Sequence, residues 1–406
     1  MSTTFLACLA IIFIVIFKLL NVNSSPQKPK LYCKDELFKD RIMKICSAEL
    51  TENYIPTRLW GFSGHVQTIL QSLIGRVKCP WSLGDRIYIS MPDGSTLTYD
   101  LYQPLNLTHD EDITVAVCPG VGNSSESVYI RTFVHYAQCH GYRMAVLNHI
   151  GVIDSINVTS PRIFTYGHTD DYAAMINSLV KKFPTTHIIS VGFSLGGNLV
   201  TKYLGEKNVP KPANIIGAVS ICQGYDANTA TQCLLKWQNF QRFYLYVLTE
   251  NVKSIIMKHR NVLLNDEVKR KYNLNEREIV ASATLPDLDE AYTCKIHNFP
   301  STQALYSWSS CINYLKNIEK PIIFINSVDD PLVPEILLRP IREFAESHPK
   351  VLYIETQHGG HLGFYEHGLI NPNPLTWLDR ILVSLLGGIA FANNDLIMKR
   401  STTMAM

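Results

Sequence analysis

The sequence "IISVGFSLGGNLV" spans residues 188–200 and places Ser194 between Gly192 and Gly196. β-Branched apolar residues precede the serine, as in a buried strand, and apolar residues with helical spacing follow it. In the G-x-S-x-G pattern a strand turns sharply into a helix and exposes the serine, and glycines are needed because a Cβ would collide across the turn. We therefore predict that Ser194 is a nucleophile on a strand-to-helix corner, with a purely structural turn as the alternative.

Short apolar runs alternate with helical patterns on both sides of this corner. A helix pattern begins near Ser125, and another, "TDDYAAMINSLVKKFP", has an N-cap threonine, acids in its first turn and lysines in its last. The strand candidates are "ITVAVCPG", "YRMAVLNH", "HIISVGFS", "NIIGAVSIC", "PIIFINS" and "KVLYIET". This alternation predicts an α/β fold with a mostly parallel sheet flanked by helices.

One interval, from residue 225 to about residue 320, contains no strand-like run. Its segment "CLLKWQNFQRFYLYVLTENVKSIIMKH" is aromatic and compatible with helix, so we interpret the interval as an inserted helical cap; ordinary packing helices are the alternative. The last long pattern, "PLTWLDRILVSLLGGIAFA", is too short in its apolar part to span a bilayer and predicts a final helix packed on the sheet.

A serine nucleophile requires a histidine base and an acid that orients the histidine, in the chain order Ser, Asp or Glu, His. Downstream of Ser194, "FINSVDDPLVP" ends a strand candidate with Asp329 and Asp330, and "ETQHGGHLGF" ends another with His358 and His361. Both pairs lie at strand carboxyl ends, where α/β sheets place their sites. Spacing alone does not choose within either pair.

An oxyanion formed during acyl transfer needs two backbone donors. The Leu195 N–H, directly after the nucleophile, is one candidate. The loop "CPGVGN" follows an earlier strand and offers the Val121 N–H as the second, with Gly120 allowing close approach. A plain turn at the strand end is the alternative.

Composition excludes several classes of function. Lys plus Arg number 37 and Asp plus Glu number 35, and no basic block is interleaved with aromatic residues, so we expect no nucleic-acid partner. The ten cysteines form no C-x-x-C pair and no Cys/His spacing typical of zinc ligands. We therefore expect neither a metal site nor a dense disulfide framework, and the serine chemistry predicted above needs no cofactor.

The N-terminus is apolar from Phe5 to Phe17 and has no charged side chain before Lys18. We predict an uncleaved signal anchor, which reaches the ~20 residues of a spanning helix only if Lys18 extends to the interface; a cleaved signal peptide is the alternative. By the positive-inside rule, lysines on the C-terminal flank would hold that flank in the cytosol. The four N-x-S/T sequons, at Asn23, Asn106, Asn123 and Asn157, are about as many as chance gives.

The chain resembles the membrane-anchored α/β-hydrolase family, also called the AB hydrolase 4 family, from about residue 56 to residue 379. The resemblance makes Ser194 the nucleophile, Asp330 the acid and His361 the base. It also implies hydrolysis of acylglycerols or other esters and glycosylation at Asn123. It further implies a signal anchor with the catalytic domain on the non-cytoplasmic side, which is opposite to the orientation that the flanking lysines indicate. The shared segments are "LWGFSGHVQT", "YIRTFVHYAQCHGYR", "AVLNHIG", "SPRIFTYG", "GFSLGGNLVTKYLGE", "SICQGY", "DDPLV", "HGGHLGF" and "PLTW".

Together these observations predict a membrane-anchored serine hydrolase that cleaves fatty-acyl esters, with monoacylglycerol as the expected substrate, at the plasma membrane or the endoplasmic reticulum. A phospholipase or a broad carboxylesterase is the alternative of the same chemistry, and a catalytically silent, receptor-like ectodomain is the alternative of another class. The predicted organisation is a signal anchor (1–22), a linker (23–55), a hydrolase domain (56–392, cap about 226–315) and a tail (393–406).

Overall fold

The computed structural model describes residues 17–21, 23–73, 84–106 and 112–404, together with Phe5, Ala10 and Phe13, with the backbone alone for Asn239 and residues 394–404. The predicted anchor, residues 1–22, therefore lies largely outside the described residues. None of the described helices has the length and apolar character of a bilayer-spanning segment.

The described chain is built around one mixed sheet of nine strands in the order β1-β9-β8-β7-β6-β4-β5-β3-β2. The six strands from β9 to β5 in that order are parallel, whereas β1 at one edge and β3 and β2 at the other are antiparallel. The strands are β1 (Lys30–Tyr32), β2 (Asp85–Ser90), β3 (Thr96–Tyr102), β4 (Ile113–Cys118), β5 (Arg143–Asn148), β6 (His187–Phe193), β7 (Ile215–Ile221), β8 (Ile322–Ser327) and β9 (Val351–Thr356).

Helices pack on both faces of the sheet and also form the interval between β7 and β8. The α-helices are α1 (Glu36–Thr51), α2 (Gly64–Leu73), α3 (Val128–Cys139), α4 (Asp170–Lys182), α5 (Leu195–Gly205), α6 (Ala227–Leu234), α7 (Gln241–Lys258), α8 (Arg260–Leu263), α9 (Asp266–Tyr272), α10 (Glu276–Ala281), α11 (Leu285–Leu288), α12 (Cys294–Ile296), α13 (Thr302–Ser309), α14 (Arg339–Ser347) and α15 (Trp377–Met404).

Apolar side chains fill both faces of the sheet, as β6 illustrates. Its Ile188 lies in one core, whereas Ile189 and Val191 lie in the other. Helices α1, α3 and α15 contribute to the core that contains Val191, and α4, α5, α14 and parts of the cap contribute to the opposite core. Burial on both faces explains why the strands read as continuous apolar runs. The predicted architecture, a mostly parallel sheet flanked by helices, is confirmed.

Residues 23–55 are not the linker that the sequence suggested. They contain β1, which pairs with β9, and α1, whose buried Phe38 and Ile42 face the sheet core. At the other end, α15 continues through most of the predicted tail as far as Met404. The domain therefore includes chain that was assigned to a connection.

Two smaller features also differ from the sequence reading. The hairpin β2–β3 was not predicted, because Thr98 and Asp100 of β3 are buried polar residues that interrupt the apolar pattern. Asp100 is paired with Arg86 of β2 through two hydrogen bonds of 2.8 Å. Thr169 precedes α4 as expected, but its hydroxyl donates to Glu206 instead of capping the helix.

The interval from β7 to β8 is helical in the structure, with α6–α13 and no strand among its residues. The longest of these helices, α7, buries Tyr244, Leu245 and Thr249 on one side and exposes aromatic side chains on the other. We refer to α6–α13 and their connections as the cap.

Candidate active site

Ser194 occupies the corner between β6 and α5. Its backbone adopts φ 52° and ψ −116°, a conformation that few residues with a side chain adopt and that costs about 1–3 kcal/mol. A Cβ at Gly192 would overlap the carbonyl of Gly196, and a Cβ at Gly196 would overlap the carbonyl of Cys118. The glycines are thus required for close approach of the backbone on both sides of the strained serine.

Three predicted residues meet at the carboxyl end of the sheet. The Nε2 atom of His361 lies 2.9 Å from the Oγ atom of Ser194, and its Nδ1 atom lies 2.8 Å from the Oδ2 atom of Asp330. They come together because β6, β8 and β9 are parallel and end at the same edge. Since an ionised carboxylate only accepts, Nδ1 carries the proton and Nε2 is left to accept from the serine hydroxyl.

Backbone contacts fix the acid and the base. The Oδ1 atom of Asp330 accepts from the N–H groups of Leu332 at 2.8 Å and Val333 at 3.2 Å, which leaves Oδ2 to His361. The backbone N–H of His361 donates to the Oγ1 atom of Thr68 on α2, at 2.8 Å. Sequence reasoning missed Thr68, whose only signal was its place in the shared segment "LWGFSGHVQT".

The other member of each ambiguous pair forms a separate contact. Asp329 accepts from the Gly360 N–H at 2.8 Å, and its Oδ2 atom lies 3.5 Å from His358 Nδ1. Burial raises the pKa of Asp329, although His358 opposes this shift. The Nε2 atom of His358 lies 2.9 Å from the hydroxyl of Ser24, near the N-terminus. The Asp329–His358 pair therefore lies beside the first pair without contacting Ser194.

The loop after β4 lies against the nucleophile. A Cβ built on Gly120 would be 3.4 Å from the Cβ of Ser194, and the Gly120 N–H donates to the Tyr129 hydroxyl at 3.0 Å. Within the described residues, the Leu195 and Val121 N–H groups have no intramolecular acceptor. Two amides on either side of the serine are thus available to a bound oxyanion.

The side chain of Asn123 belongs to this same loop. Its Nδ2 atom donates to the Val121 carbonyl at 2.7 Å, and its Oδ1 atom accepts from the Ser127 hydroxyl at 3.0 Å. An N-linked glycan would be attached at the Nδ2 atom that makes the first of these bonds, in the loop beside Ser194. Glycosylation at Asn123 stays a prediction, and the geometry gives the side chain a structural role.

The cap helix α7 extends over the site. Near its start, the Tyr244 hydroxyl lies 2.9 Å from His65 Nδ1, on α2 three residues before Thr68. Burial raises the pKa of Tyr244 to about 12 and lowers the pKa of His65, so both side chains are neutral at neutral pH. Near its end, Ile255 is the closest neighbour of a Cβ built on Gly122, in the loop after β4. The helix thus contacts both the histidine side and the loop side of Ser194.

A polar contact on α5 attaches the cap to the helix that follows the nucleophile. The Asn198 side chain donates to the Ser309 carbonyl at 2.9 Å and the Tyr166 carbonyl at 2.8 Å, and it accepts from the Cys311 N–H at 3.0 Å. The side chain is fully buried, so these bonds replace water entirely. Asn198 lay in the shared "GFSLGGN" segment, but nothing in the sequence indicated this role.

One turn later on α5, Lys202 makes a second attachment. Its buried Nζ atom donates to the Gly167 carbonyl at 2.7 Å, lies 3.4 Å from Glu206 and lies 3.1 Å from the centre of the Trp308 ring. Burial lowers the pKa of Lys202 to about 8 even though Glu206 favours the charged form. Such a lysine is invisible to sequence patterns because charged residues are rarely fully buried.

Among the described residues, one group of side chains has potential metal-ligand atoms close to one another. It consists of Cys222, Asp330 and His361. Cys222 directly follows β7, with φ 49°, and is buried. However, Asp330 and Ser194 already contact the two ring nitrogens of His361. A metal at this position would displace those contacts, so the donor set fits proton transfer better than metal binding.

Known proteins with similar sequences cover nearly the whole chain. It is 62% identical over 389 residues to abhydrolase domain-containing protein 2 of Drosophila melanogaster, with 96% of this chain and 97% of that protein covered. It is 42% identical to monoacylglycerol lipase ABHD2 of Homo sapiens, covering 95% and 91%, and 28% identical to phospholipase ABHD3 of Homo sapiens, covering 91% and 87%.

A family described as the alpha/beta hydrolase fold matches residues 113–368. This range runs from the start of β4 to beyond His361 and so contains Ser194, Asp330 and the whole cap. The sheet order, the strained corner at Ser194 and the near full-length relatives agree with that match. The chain therefore belongs to the α/β-hydrolase family, as its sequence motifs predicted.

Proposed function

We propose that this protein is a serine hydrolase that cleaves fatty-acyl esters, with a monoacylglycerol as its substrate. One observation carries the proposal, namely the continuous hydrogen-bonded series from Asp330 through His361 to Ser194, with distances of 2.8 and 2.9 Å. This series supplies a nucleophile, a base and an orienting carboxylate in a single geometry.

In the proposed mechanism, Ser194 Oγ attacks the ester carbonyl while His361 Nε2 takes the hydroxyl proton. Asp330 keeps the imidazole in the required tautomer and stabilises the imidazolium. The N–H groups of Leu195 and Val121 bind the oxyanion. The C–O bond to the alcohol then breaks, His361 returns the proton to the departing glycerol oxygen, and a water activated in the same way releases the fatty acid.

The substrate class rests on the relatives and on the cap. Two relatives are named as a monoacylglycerol lipase and a phospholipase, and the first is the more similar of the two. The cap helix α7 contacts both the histidine side and the loop side of Ser194, so it is placed to cover a bound acyl chain. A phospholipase is the second candidate, favoured by the named relative at 28% identity.

We further propose that residues 1–22 hold the protein in a bilayer, with the catalytic domain on the non-cytoplasmic side. The apolar run from Phe5 to Phe17 and the lipid substrate both favour a tether, because an ester dissolved in the bilayer is reached by diffusion within it. Glycosidase digestion of the protein from cells tests the orientation, because sugars are attached only on the non-cytoplasmic side. A chain that carries no sugar, and whose catalytic domain is digested by protease added on the cytoplasmic side, would contradict the proposed orientation.

The central experiment compares wild type and Ser194→Ala in membranes supplied with monoacylglycerols, diacylglycerols, phospholipids and short esters. Removal of the nucleophile should lower kcat by ~10⁴-fold or more on every substrate that the wild type cleaves. A fluorophosphonate probe should label the wild type and spare the variant. Full activity in the variant would exclude the mechanism, and preference for phospholipid would replace the substrate.

A further inference from the structure

An exposed aromatic surface lies at the start of cap helix α7. Trp237 is 80% exposed, Phe240 65%, Phe243 55% and Tyr246 50%. Within α7, Phe243, Tyr246 and Val247 follow one another at helical spacing, so they project from the same side of the helix, and Phe240 directly precedes its first residue. We call these five residues the aromatic face. A cluster of exposed apolar side chains, unlike a single one, is typical of an interaction surface.

The exposed side chains of α7 change from aromatic at the start of the helix to polar at its end. On the same side of α7, the residues beyond the aromatic face are polar, with Asn251, Ser254 and Lys258 exposed. At the start, the Arg242 guanidinium lies over the Trp237 ring, 4.9 Å from its centre, and Lys236 is exposed beside it. Tryptophan next to basic side chains, followed by a polar end, is the pattern of a helix that enters the interface of a bilayer at one end.

The chain leaves the N-terminal apolar segment close to this surface. Residues 17–20 are helical, and the Asn21 side chain donates to the Phe62 carbonyl at 3.0 Å. His65 follows Phe62 by three residues, within about 11 Å, and the His65 ring lies 5.8 Å from the Phe240 ring. The segment proposed to lie in a bilayer therefore joins the domain beside the aromatic face.

The same elements connect the surface to the catalytic residues. On α2, His65 contacts Phe240 and Tyr244 of the cap, and Thr68 accepts the His361 N–H. The aromatic face is thus separated from the catalytic histidine by one helix.

We propose that the aromatic face is inserted into the lipid leaflet in which the N-terminal segment is anchored, so that the catalytic site beneath α7 receives the ester directly from the bilayer. The proposal rests on the tether and the hydrolase activity proposed above. A bilayer, and not a second copy of the chain, is the occupant, because the anchor joins the domain next to this surface and the flanking side chains are basic.

Insertion is measured on the full-length protein reconstituted in phosphatidylcholine vesicles whose acyl chains are brominated near the headgroup. Subtracting the emission of Trp237→Phe from that of the wild type isolates Trp237. We expect brominated lipid to quench this difference and aqueous iodide to spare it. Quenching by iodide alone would place Trp237 in water and overturn the proposal, whether or not the protein hydrolyses any ester.

The transfer of substrate from the bilayer to the catalytic site is measured with the double variant Phe240→Ser/Phe243→Ser. Hydrolysis of monoacylglycerol in the vesicles should fall by about tenfold or more, whereas hydrolysis of a water-soluble short ester should stay within about twofold of wild type. Tyr88→Ser, which removes an exposed aromatic residue of the edge strand β2, is the matched control and should change neither rate. An equal loss of activity on both esters, or no loss on either, would contradict the proposal. So would a wild-type protein that is dimeric and not quenched by brominated lipid, if the double substitution made it monomeric.

Discussion

At the residue scale, two adjacent aspartates and two nearby histidines of the same loops have different partners. Asp330 contacts His361, which contacts Ser194, whereas Asp329 contacts the Gly360 N–H and lies near His358. Chain order predicted both pairs but could not separate them, because all four residues follow the ends of neighbouring strands. The direction of each side chain is set by the backbone turns after β8 and β9, which apolar periodicity does not report.

This difference gives a matched pair of variants. Asp330→Asn should lower kcat by ~10⁴-fold, because an amide NH₂ facing His361 favours the tautomer that cannot accept the serine proton. Asp329→Asn keeps an oxygen for the Gly360 N–H and should keep kcat within about tenfold. Steady-state kinetics on a short soluble ester measures both. If Asp329→Asn lowered kcat more than Asp330→Asn, then Asp329, and not Asp330, would be the carboxylate that orients His361.

The glycines of the corner give a second test. Gly196→Ala places a methyl group on the Cys118 carbonyl and should destabilise the fold by at least ~2 kcal/mol. Gly387→Ala, within α15, places its methyl 3.4 Å from Ile45 and removes a glycine from a helix, so it should be neutral or stabilising by ~0.5–1 kcal/mol. Urea unfolding measures both. Equal stability of the two variants would contradict the close approach at the corner.

At the element scale, α5 joins the nucleophile to the cap. Its first residue follows Ser194, and its Asn198 and Lys202 side chains bind the backbone of the segment before α4 and, through Asn198, of the cap. Sequence reasoning predicted the helix from its apolar face, but these polar residues act at the buried side, where only the packed structure shows which carbonyls need donors. The hairpin β2–β3 was missed for a related reason, since Asp100 is buried and is paired with the half-buried Arg86.

The buried lysine on α5 predicts a pH dependence. The pKa of Lys202 is about 8 in the fold, against 10.5 ordinarily. Between these pH values the folded protein binds fewer protons than the unfolded chain, so stability rises with pH in this window. Below pH 8 both states are protonated and the burial penalty is fully present. At about 1.4 kcal/mol per pKa unit, the gain is on the order of 2–3 kcal/mol.

The measurement is the free energy of unfolding of the wild type minus that of Lys202→Met across the window, which removes the contribution of other titrating groups. We expect this difference to increase from pH 8 to pH 10.5. A difference that stays constant with pH would mean that Gly167, Glu206 and the Trp308 ring keep the ammonium at its ordinary pKa.

At the scale of the whole molecule, the apolar periodicity from β4 to β9 predicted the sheet centre, whereas the edges of the sheet were not predicted. The central strands are recognisable because both of their faces are buried. β1 is three residues long and exposed in part, so it has no comparable pattern. Its pairing with β9 depends on contacts more than 300 residues apart in the chain, such as Leu31 with Ile354.

Shortening the chain from its N-terminus therefore tests which residues are needed for the domain to fold. A chain that begins at residue 26 keeps β1 and α1, and we expect it to unfold cooperatively and to cleave soluble short esters. A chain that begins at residue 56 exposes the edge of β9 and the apolar face of α15 that α1 covers through Ile42. An uncovered edge and an uncovered apolar face both promote aggregation, so this shorter chain should be insoluble or lack a cooperative transition.

Circular dichroism during heating, together with hydrolysis of a soluble ester, distinguishes the two chains. If the chain from residue 56 were folded and active, residues 23–55 would be the dispensable connection that their sequence suggested. If the chain from residue 26 failed as well, the lost contacts would be that of Asn21 with Phe62, just before α2, and that of Ser24 with His358, in the loop that carries His361. Because both bonds are at the surface or half-buried and the Asp329–His358 pair does not contact Ser194, we expect the chain from residue 26 to keep its fold.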